Sequence, residues 1–326
     1  MLNSVTQILS GRLGRRAAIA VLRAIALGWV TVGCRTAPEQ TANAPEKPIV
    51  VATNTILADL TQQVGGEAIA LVSILKPGDD PHVYEPVPSD TQRLEDADLI
   101  LYNGYNLEPG LIRLAESVGV QGRRVAVGEV VPPLELEKGS STVPDPHIWG
   151  DAQNAISMVN AIRDELIRLS PEDEAAFTKN AADLTATLQQ LDGWIEQQIQ
   201  TIPPNQRQLV TTHDAFQYYA RAYGLTVLGT LIGISTEEQP SAQTLQRLAD
   251  AVKAANVPAI FAETAINPRL ITTVAEEAGV PLADTKLYAD SIGTPDSESD
   301  SYVDMMVANT RAIARNLGGT PADWPD

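Results

Sequence analysis

The stretch SPEDEAAFTKNAADLTATLQQLDGWIEQQIQTIPP, from Ser170 to Pro204, organises the whole chain. Ser170 is a capping residue type, Pro171 suits a first helical position, and Glu172, Asp173 and Glu174 put acids in the first turn, where the helix dipole favours them. Apolar residues then fall at Phe177, Ala181, Leu184, Leu188, Leu191, Ile195 and Ile199. Steps of three and four make these one continuous stripe, and Pro203-Pro204 closes it. At 1.5 Å per residue such a helix runs roughly 43–45 Å, longer than one small domain needs. The pattern predicts a strut over residues 170–202 that connects two lobes.

On the N-terminal side, short β-rich runs alternate with amphipathic stretches. Residues 49–53 read as a buried strand, 56–64 as a helix closed by Gly65-Gly66, and 69–75 as a second strand. A helix opens at Pro88-Ser89-Asp90, with Ser89 as its cap, and runs to about Ala97. Residues 98–102 are strand-like, 111–118 helical and 124–127 a further strand. On the C-terminal side the order begins again, faintly echoing the first half. Residues 208–212 followed by a helix parallel 49–64, residues 259–263 parallel 99–103, and residues 286–290 parallel the strand near Val125. The expectation is an α/β fold of two similar lobes, 48–169 and 203–326, each a mostly parallel sheet flanked by helices, with a ligand cleft between them where strands end.

The first 33 residues stand apart. They hold four arginines and no acid, and end in ten uncharged residues from Ala24 to Gly33. That is the apolar length of an export signal, too short to span a bilayer comfortably. It stops at Cys34, the only cysteine, so no intramolecular disulfide staples the fold. Gly33-Cys34 resembles a bacterial lipoprotein cleavage site, with Thr31 standing where leucine is preferred. The expectation is a signal peptide over 1–33, lipid attachment at Cys34, and a flexible tether over 34–47, which holds two prolines and no periodicity. The protein would then be periplasmic or otherwise extracytoplasmic and anchored to a membrane. Without the signal, 19 Lys and Arg face 41 Asp and Glu, a net charge of −22. Such a body repels phosphate backbones, which argues against nucleic acid as a partner.

Only three histidines occur, and each stands in a turn beside an acid. His82 follows Asp80-Pro81, His147 follows Asp145-Pro146, and His213 follows the strand at 208–212 and precedes Asp214. A metal-binding imidazole needs its second ring nitrogen held by a carboxylate or carbonyl, and Asp80, Asp145 and Asp214 stand within reach in sequence. Proline before histidine restricts the backbone and fixes the direction of the ring. The plainer alternative is that each Asp caps a helix and each His is an exposed turn residue. That every histidine is spent this way points to metal ligation. Glu263, at a strand end of the second lobe, is a further candidate beside the cleft, with a cap or an ion pair as its alternative. The acids around Asp296 to Asp300 lack calcium-loop spacing and read as a solvated loop. No His-Glu-x-x-His, Cys-x-x-Cys, phosphate loop or Gly-x-Ser-x-Gly elbow is present.

Several motifs together resemble the zinc/manganese-binding solute-binding proteins of bacterial ABC importers, metal-receptor lipoproteins with a rigid helical connector. They are Pro77-Gly78-Asp79-Asp80-Pro81-His82-Val83-Tyr84-Glu85-Pro86, Ala97-Asp98-Leu99-Ile100-Leu101-Tyr102-Asn103-Gly104, Asp145-Pro146-His147-Ile148-Trp149, Thr212-His213-Asp214-Ala215-Phe216 with Tyr223-Gly224, and Tyr288-Ala289-Asp290-Ser291-Ile292-Gly293. The resemblance runs from Pro48 to about Gly319. It implies a divalent metal held between lobes by His82, His147, His213 and Asp290, and delivery to a permease and its ATPase by a monomer. Asp290 enters by this resemblance alone.

Members regarded as manganese-selective commonly carry Glu where His213 stands. Three imidazoles and one carboxylate are similar to members that take zinc, or both ions, and nitrogen-rich sites favour zinc. The His-rich acidic loop of many zinc receptors is missing, since residues 83–146 contain no histidine. Zinc is therefore placed first and manganese close behind. Two rival functions are a zinc hydrolase with Glu263 as general base, and a metal-buffering or adhesive surface lipoprotein.

Overall fold

A computed structural model describes residues 47–117, 122–138 and 141–325. The signal-type segment, Cys34 and the tether up to residue 46 lie outside the described residues. Residues 46–326 form one compact unit.

The first half begins with β1 (Ile49–Ala52), α1 (Thr55–Gly65) and β2 (Ala70–Ser73). It continues with α2 (Pro88–Glu95), β3 (Leu99–Tyr102), α3 (Pro109–Ser117) and β4 (Arg123–Ala126). The four strands pair in parallel in the order β2-β1-β3-β4. Their side chains alternate between two buried layers, as the period of two requires. Val50 and Ala52 of β1 with Leu99 and Leu101 of β3 enter the main core. Val51 and Ile100 point the other way, into a smaller cluster with Ile74, Leu75, Leu94 and Leu111. Both faces being covered explains the continuous apolar runs.

An antiparallel hairpin, β5 (Glu135–Lys138) and β6 (Ser141–Pro144), and α4 (Ala152–Leu169) follow. Neither was anticipated from the sequence, although α4 buries a helical stripe of Ala155, Met158, Val159, Ile162 and Leu166. The long helix α5 spans Glu174–Gln200, 27 residues or about 40 Å. It starts later than the sequence suggested. Residues Pro171–Asp173 form a separate 3-10 turn, and the Ser170 hydroxyl is taken by the Asp173 carboxylate at 2.7 Å. All seven residues of the expected stripe are buried. In α2, Ser89 is not the cap. The helix begins at Pro88, and Asp90 reaches back to accept from the Val87 N–H at 2.9 Å.

The second half holds β7 (Gln208–Thr211), α6 (Gln217–Tyr223), β8 (Thr226–Thr230), α7 (Ala242–Ala255), α8 (Arg269–Ala278) and α9 (Tyr302–Asn316). β7 and β8 are parallel. Two extended segments continue the pairing: Phe261 N–H donates to Val210 O and Leu287 N–H to Ala262 O, both at 2.9 Å. Parallel bridges join Ile260 to Leu282 and Glu263 to Leu287. The lateral order is thus β8, β7, 260–263, 282–287, matching β2, β1, β3, β4 in the first half. The faint internal echo in the sequence is a shared topology.

α5 packs along α4 and meets α1 from the first half and α6 and α9 from the second. One apolar core consequently runs from Val50 to Leu317 through both halves. Leu188 lies fully buried midway along α5. Leu188→Ala should cost about 2–5 kcal/mol in urea or thermal unfolding, whereas Gln190→Ala on the exposed face should change stability by less than about 0.5 kcal/mol.

Candidate metal centre

The repeated Asp-Pro-His tripeptide makes the same turn twice. Asp80 Oδ1 accepts the N–H of His82 at 3.0 Å, and Asp145 Oδ1 accepts the N–H of His147 at 3.0 Å. A short carboxylate bonding the backbone two residues on is a local preference of Asp, and it aims each histidine away from its own chain. His82 lies in the irregular segment between β2 and α2, and His147 follows the β5–β6 hairpin. His213 follows β7, whose neighbouring segment ends at Glu263. That adjacency lets Glu263 accept from His213 twice, from the backbone N–H at 2.9 Å and from Nδ1 at 2.5 Å. Asp290 follows Leu287, which pairs with Glu263 on the far side.

These four residues converge. His147 Nε2 lies 3.2 Å from His82 Nε2 and 3.4 Å from His213 Nε2. Asp290 places Oδ2 at 3.2 Å from His213 Nε2 and 3.8 Å from His82 Nε2, and Oδ1 at 3.4 Å from His147 Nε2. All four donor atoms fall within 4.8 Å of one another, and among the described residues this is the one His/Cys/Asp/Glu group that could hold a metal. A tetrahedron with zinc bonds of about 2.0–2.1 Å has edges of about 3.3–3.4 Å, which fits these separations. Each of the four residues is at most 3% exposed.

The surroundings of the rings correct part of the sequence reading. Asp145 holds His147 Nδ1 at 2.7 Å, as expected. Asp214 does not hold His213; its carboxylate accepts from the Gln217 amide at 2.7 Å, and Glu263 takes the role instead. Asp80 bonds the backbone of His82, and its second oxygen accepts from the Thr236 hydroxyl at 2.6 Å. Three other contributors escaped sequence reasoning. Asn103 donates to Pro146 O at 2.9 Å, the Tyr218 hydroxyl to Asp145 O at 3.1 Å, and the Trp149 indole to Ala289 O at 3.0 Å. All three brace the His147 turn; Tyr218 and Trp149 do so across the two halves, and Trp149 ties the turn to the Asp290 segment.

With the Nδ1 protons of His147 and His213 committed to carboxylates, their Nε2 lone pairs face each other and Asp290. Mutually repelling acceptors call for a cation. Burial pushes His82 down to about 3, so it is neutral. Burial also disfavours charge on His147, but Asp145 and Asp290 outweigh it and raise that imidazole to about 9. His213 is likewise held well above its ordinary value, since Glu263 and Asp290 overcome its desolvation. Asp290 is held well below the usual carboxylate range, because His213, His147 and His82 overcome the effect of burial. The site accepts positive charge as protons or as a metal.

Residues 50–316 match the family described as zinc-uptake complex component A, periplasmic (ZnuA). The chain belongs to this family. It is 35% identical over 297 residues to the manganese-binding lipoprotein MntA of Halalkalibacterium halodurans, covering 91% of this chain and 97% of that one. It is 34% identical over 295 residues to the manganese ABC transporter substrate-binding lipoprotein PsaA of Streptococcus mitis, covering 88% and 94%. Among solved structures, the periplasmic zinc binding protein TroA from Treponema pallidum aligns with a TM-score of 0.79 at 32% identity, over 83% of this chain and 99% of that one.

For this ZnuA-family chain the proton balance has a sign. His147, raised from 6.5 to about 9, stabilises the metal-free fold fully below pH 6.5, and that contribution is lost as pH rises through about 9. A metal must displace the same proton, so affinity rises with pH over this window. Calorimetric zinc titrations between pH 6 and pH 9, in buffers of different ionisation enthalpy, should show proton release that diminishes toward about pH 9.

Proposed function

We propose that this chain is the extracytoplasmic substrate-binding protein of an ABC importer. It captures a divalent transition metal between the lobes 48–169 and 203–326 with His82, His147, His213 and Asp290, and delivers it to a membrane permease driven by an ATPase. The observation that carries this reading is the convergence of four buried donors, drawn from both halves, at separations a tetrahedral ion requires. Family membership and the printed roles of MntA, PsaA and TroA support it.

Zinc is the favoured cargo and manganese the second. Three imidazoles supply borderline nitrogen, which zinc uses well, and only Asp290 supplies the hard oxygen that suits manganese. Transport rather than catalysis agrees with the donor count: four protein ligands close the coordination shell, where a catalytic zinc keeps a position open. Both Glu263 oxygens are engaged by His213, which leaves that carboxylate unsuited to act as a general base. The receptor acts as a monomer, held at the membrane through lipidated Cys34.

Zinc at about 1,000 times its dissociation constant should stabilise the fold by roughly 4 kcal/mol, raising Tm by several degrees, while magnesium should leave it unchanged. A zinc shift that survives His82→Ala would place the metal elsewhere. In competition titrations, His213→Glu should narrow the zinc-over-manganese preference, because a carboxylate replaces nitrogen and cancels the uncompensated positive charge left by the dication and Asp290. His213→Ala should weaken both ions. Labelled fatty acid should enter the wild-type chain in a lipoprotein-processing bacterium and fail to enter Cys34→Ser.

A further inference from the structure

A metal enclosed by four donors that are at most 3% exposed cannot leave until some element moves. The shared core around α5 ties both halves together, so wide separation of the lobes would break packing along the whole spine. The His82 segment between β2 and α2 is different. It has no regular structure, and Val83 and Val87 stand 45% and 48% exposed on it. Two hydrogen bonds tie this segment to the second half. Gly78 N–H donates to Ser291 Oγ at 2.9 Å, immediately beside Asp290. The Thr236 hydroxyl donates to Asp80 Oδ2 at 2.6 Å.

The second tie joins two donor loops through one carboxylate. Asp80 Oδ1 accepts the His82 N–H at 3.0 Å while Oδ2 holds Thr236. Thr236 lies in the irregular segment between β8 and α7, which is moored to the His213 turn. Leu231 and Ile232 N–H donate to Thr212 O at 3.1 and 2.9 Å, and Asp214 N–H donates to Gly233 O at 3.2 Å. Thr236 itself is no part of the four-donor cluster. We propose that the Asp80–Thr236 hydrogen bond is a clasp that closes the His82 segment over the metal and sets the rate of metal release without supplying a donor atom. The inference rests on the metal-receptor reading above. A hydroxyl-to-carboxylate bond is charge-assisted and stronger than a neutral one, yet Thr236 is only half-buried, so the bond can open without unfolding the core. Asp80 and Thr236 are positioning residues, and their action should show in kinetics rather than in the coordination itself.

The test compares the full chain with Thr236→Val, which keeps the shape and loses the hydroxyl, and Thr236→Ser, which keeps the hydroxyl. Each protein is loaded with zinc and mixed with excess chelator, and the release rate is followed. Cobalt-loaded samples provide a visible absorption spectrum that reports donor set and geometry. Thr236→Val should release zinc about tenfold faster or more, with the cobalt spectrum and the melting temperature of the metal-free protein unchanged. Thr236→Ser should release zinc at the wild-type rate. Equal release from wild type and Thr236→Val, within about twofold, would overturn the clasp, as would a shifted cobalt spectrum in Thr236→Val. If wild-type protein bound neither zinc nor cobalt in a His82-dependent way, the receptor reading itself would fall, and the clasp with it.

Discussion

Three imidazole nitrogens and a carboxylate facing one another inside a closed site are a constraint the rest of the molecule must support. His147 Nε2 sits 3.2 and 3.4 Å from its two partner nitrogens, with Asp290 at comparable separations from all three rings. Left empty, such a cluster recruits protons, which is why His147 and His213 are pushed upward while Asp290 is held down. Filled, it offers a dication a compact donor shell in surroundings where charge is weakly screened. The carboxylates on the outer ring nitrogens, Asp145 and Glu263, fix the tautomers so that both Nε2 lone pairs point inward.

Holding these atoms together takes elements from both halves, and the fold provides them through repetition. Each half runs its strands in the same lateral order, so each presents the carboxyl ends of its strands and the loops beyond them to the cleft, where ligands of open α/β sheets sit. The first half contributes His82 and His147 from loops, and the second contributes His213 and Asp290 from beyond two extended segments that flank the one ending at Glu263. α5 makes this arrangement stiff. Its buried face joins a core common to both halves, so their relative placement is set by side-chain packing along some 40 Å rather than by a flexible hinge. Cross-half bonds from Trp149 and Tyr218, with a bond from Asn103 inside the first half, then trim the position of the His147 turn.

Stiffness and capture pull against each other in a molecule that must also surrender its cargo. The apolar spine resists opening, and the donors are sealed from solvent, so mobility has to be local. The irregular His82 segment is where the packing permits it. Hydrogen bonds from Gly78 to Ser291 and from Thr236 to Asp80 attach this segment to the second half, while the His147 turn and the His213 strand end are embedded among buried aromatic and aliphatic side chains. Polar ties between otherwise separate loops can break and re-form at modest cost, whereas a packed core moves as a unit.

Much of this was legible in the residues because its physics is local. The seven-residue stripe from Phe177 to Ile199 foretold α5 through helical periodicity, and the buried strands at 49–52, 99–102 and 208–211 announced themselves as apolar runs. The repeated Asp-Pro-His marked two turns correctly, since a carboxylate bonding the amide two residues on needs no distant partner. What sequence proximity suggested about the outer nitrogens held for Asp145 and failed for Asp214, because reach in three dimensions follows strand order. Glu263 stands fifty residues from His213 yet in the neighbouring segment of the sheet. Asp290 and Thr236 carry no local signature at all. Periodicity and turn chemistry act over a few residues and were determined by the chain itself. The convergence of donors, the choice of Glu263 over Asp214 and the Asp80–Thr236 tie were decided by tertiary structure, because sheet pairing and the packing of α5 alone bring those residues within bonding distance.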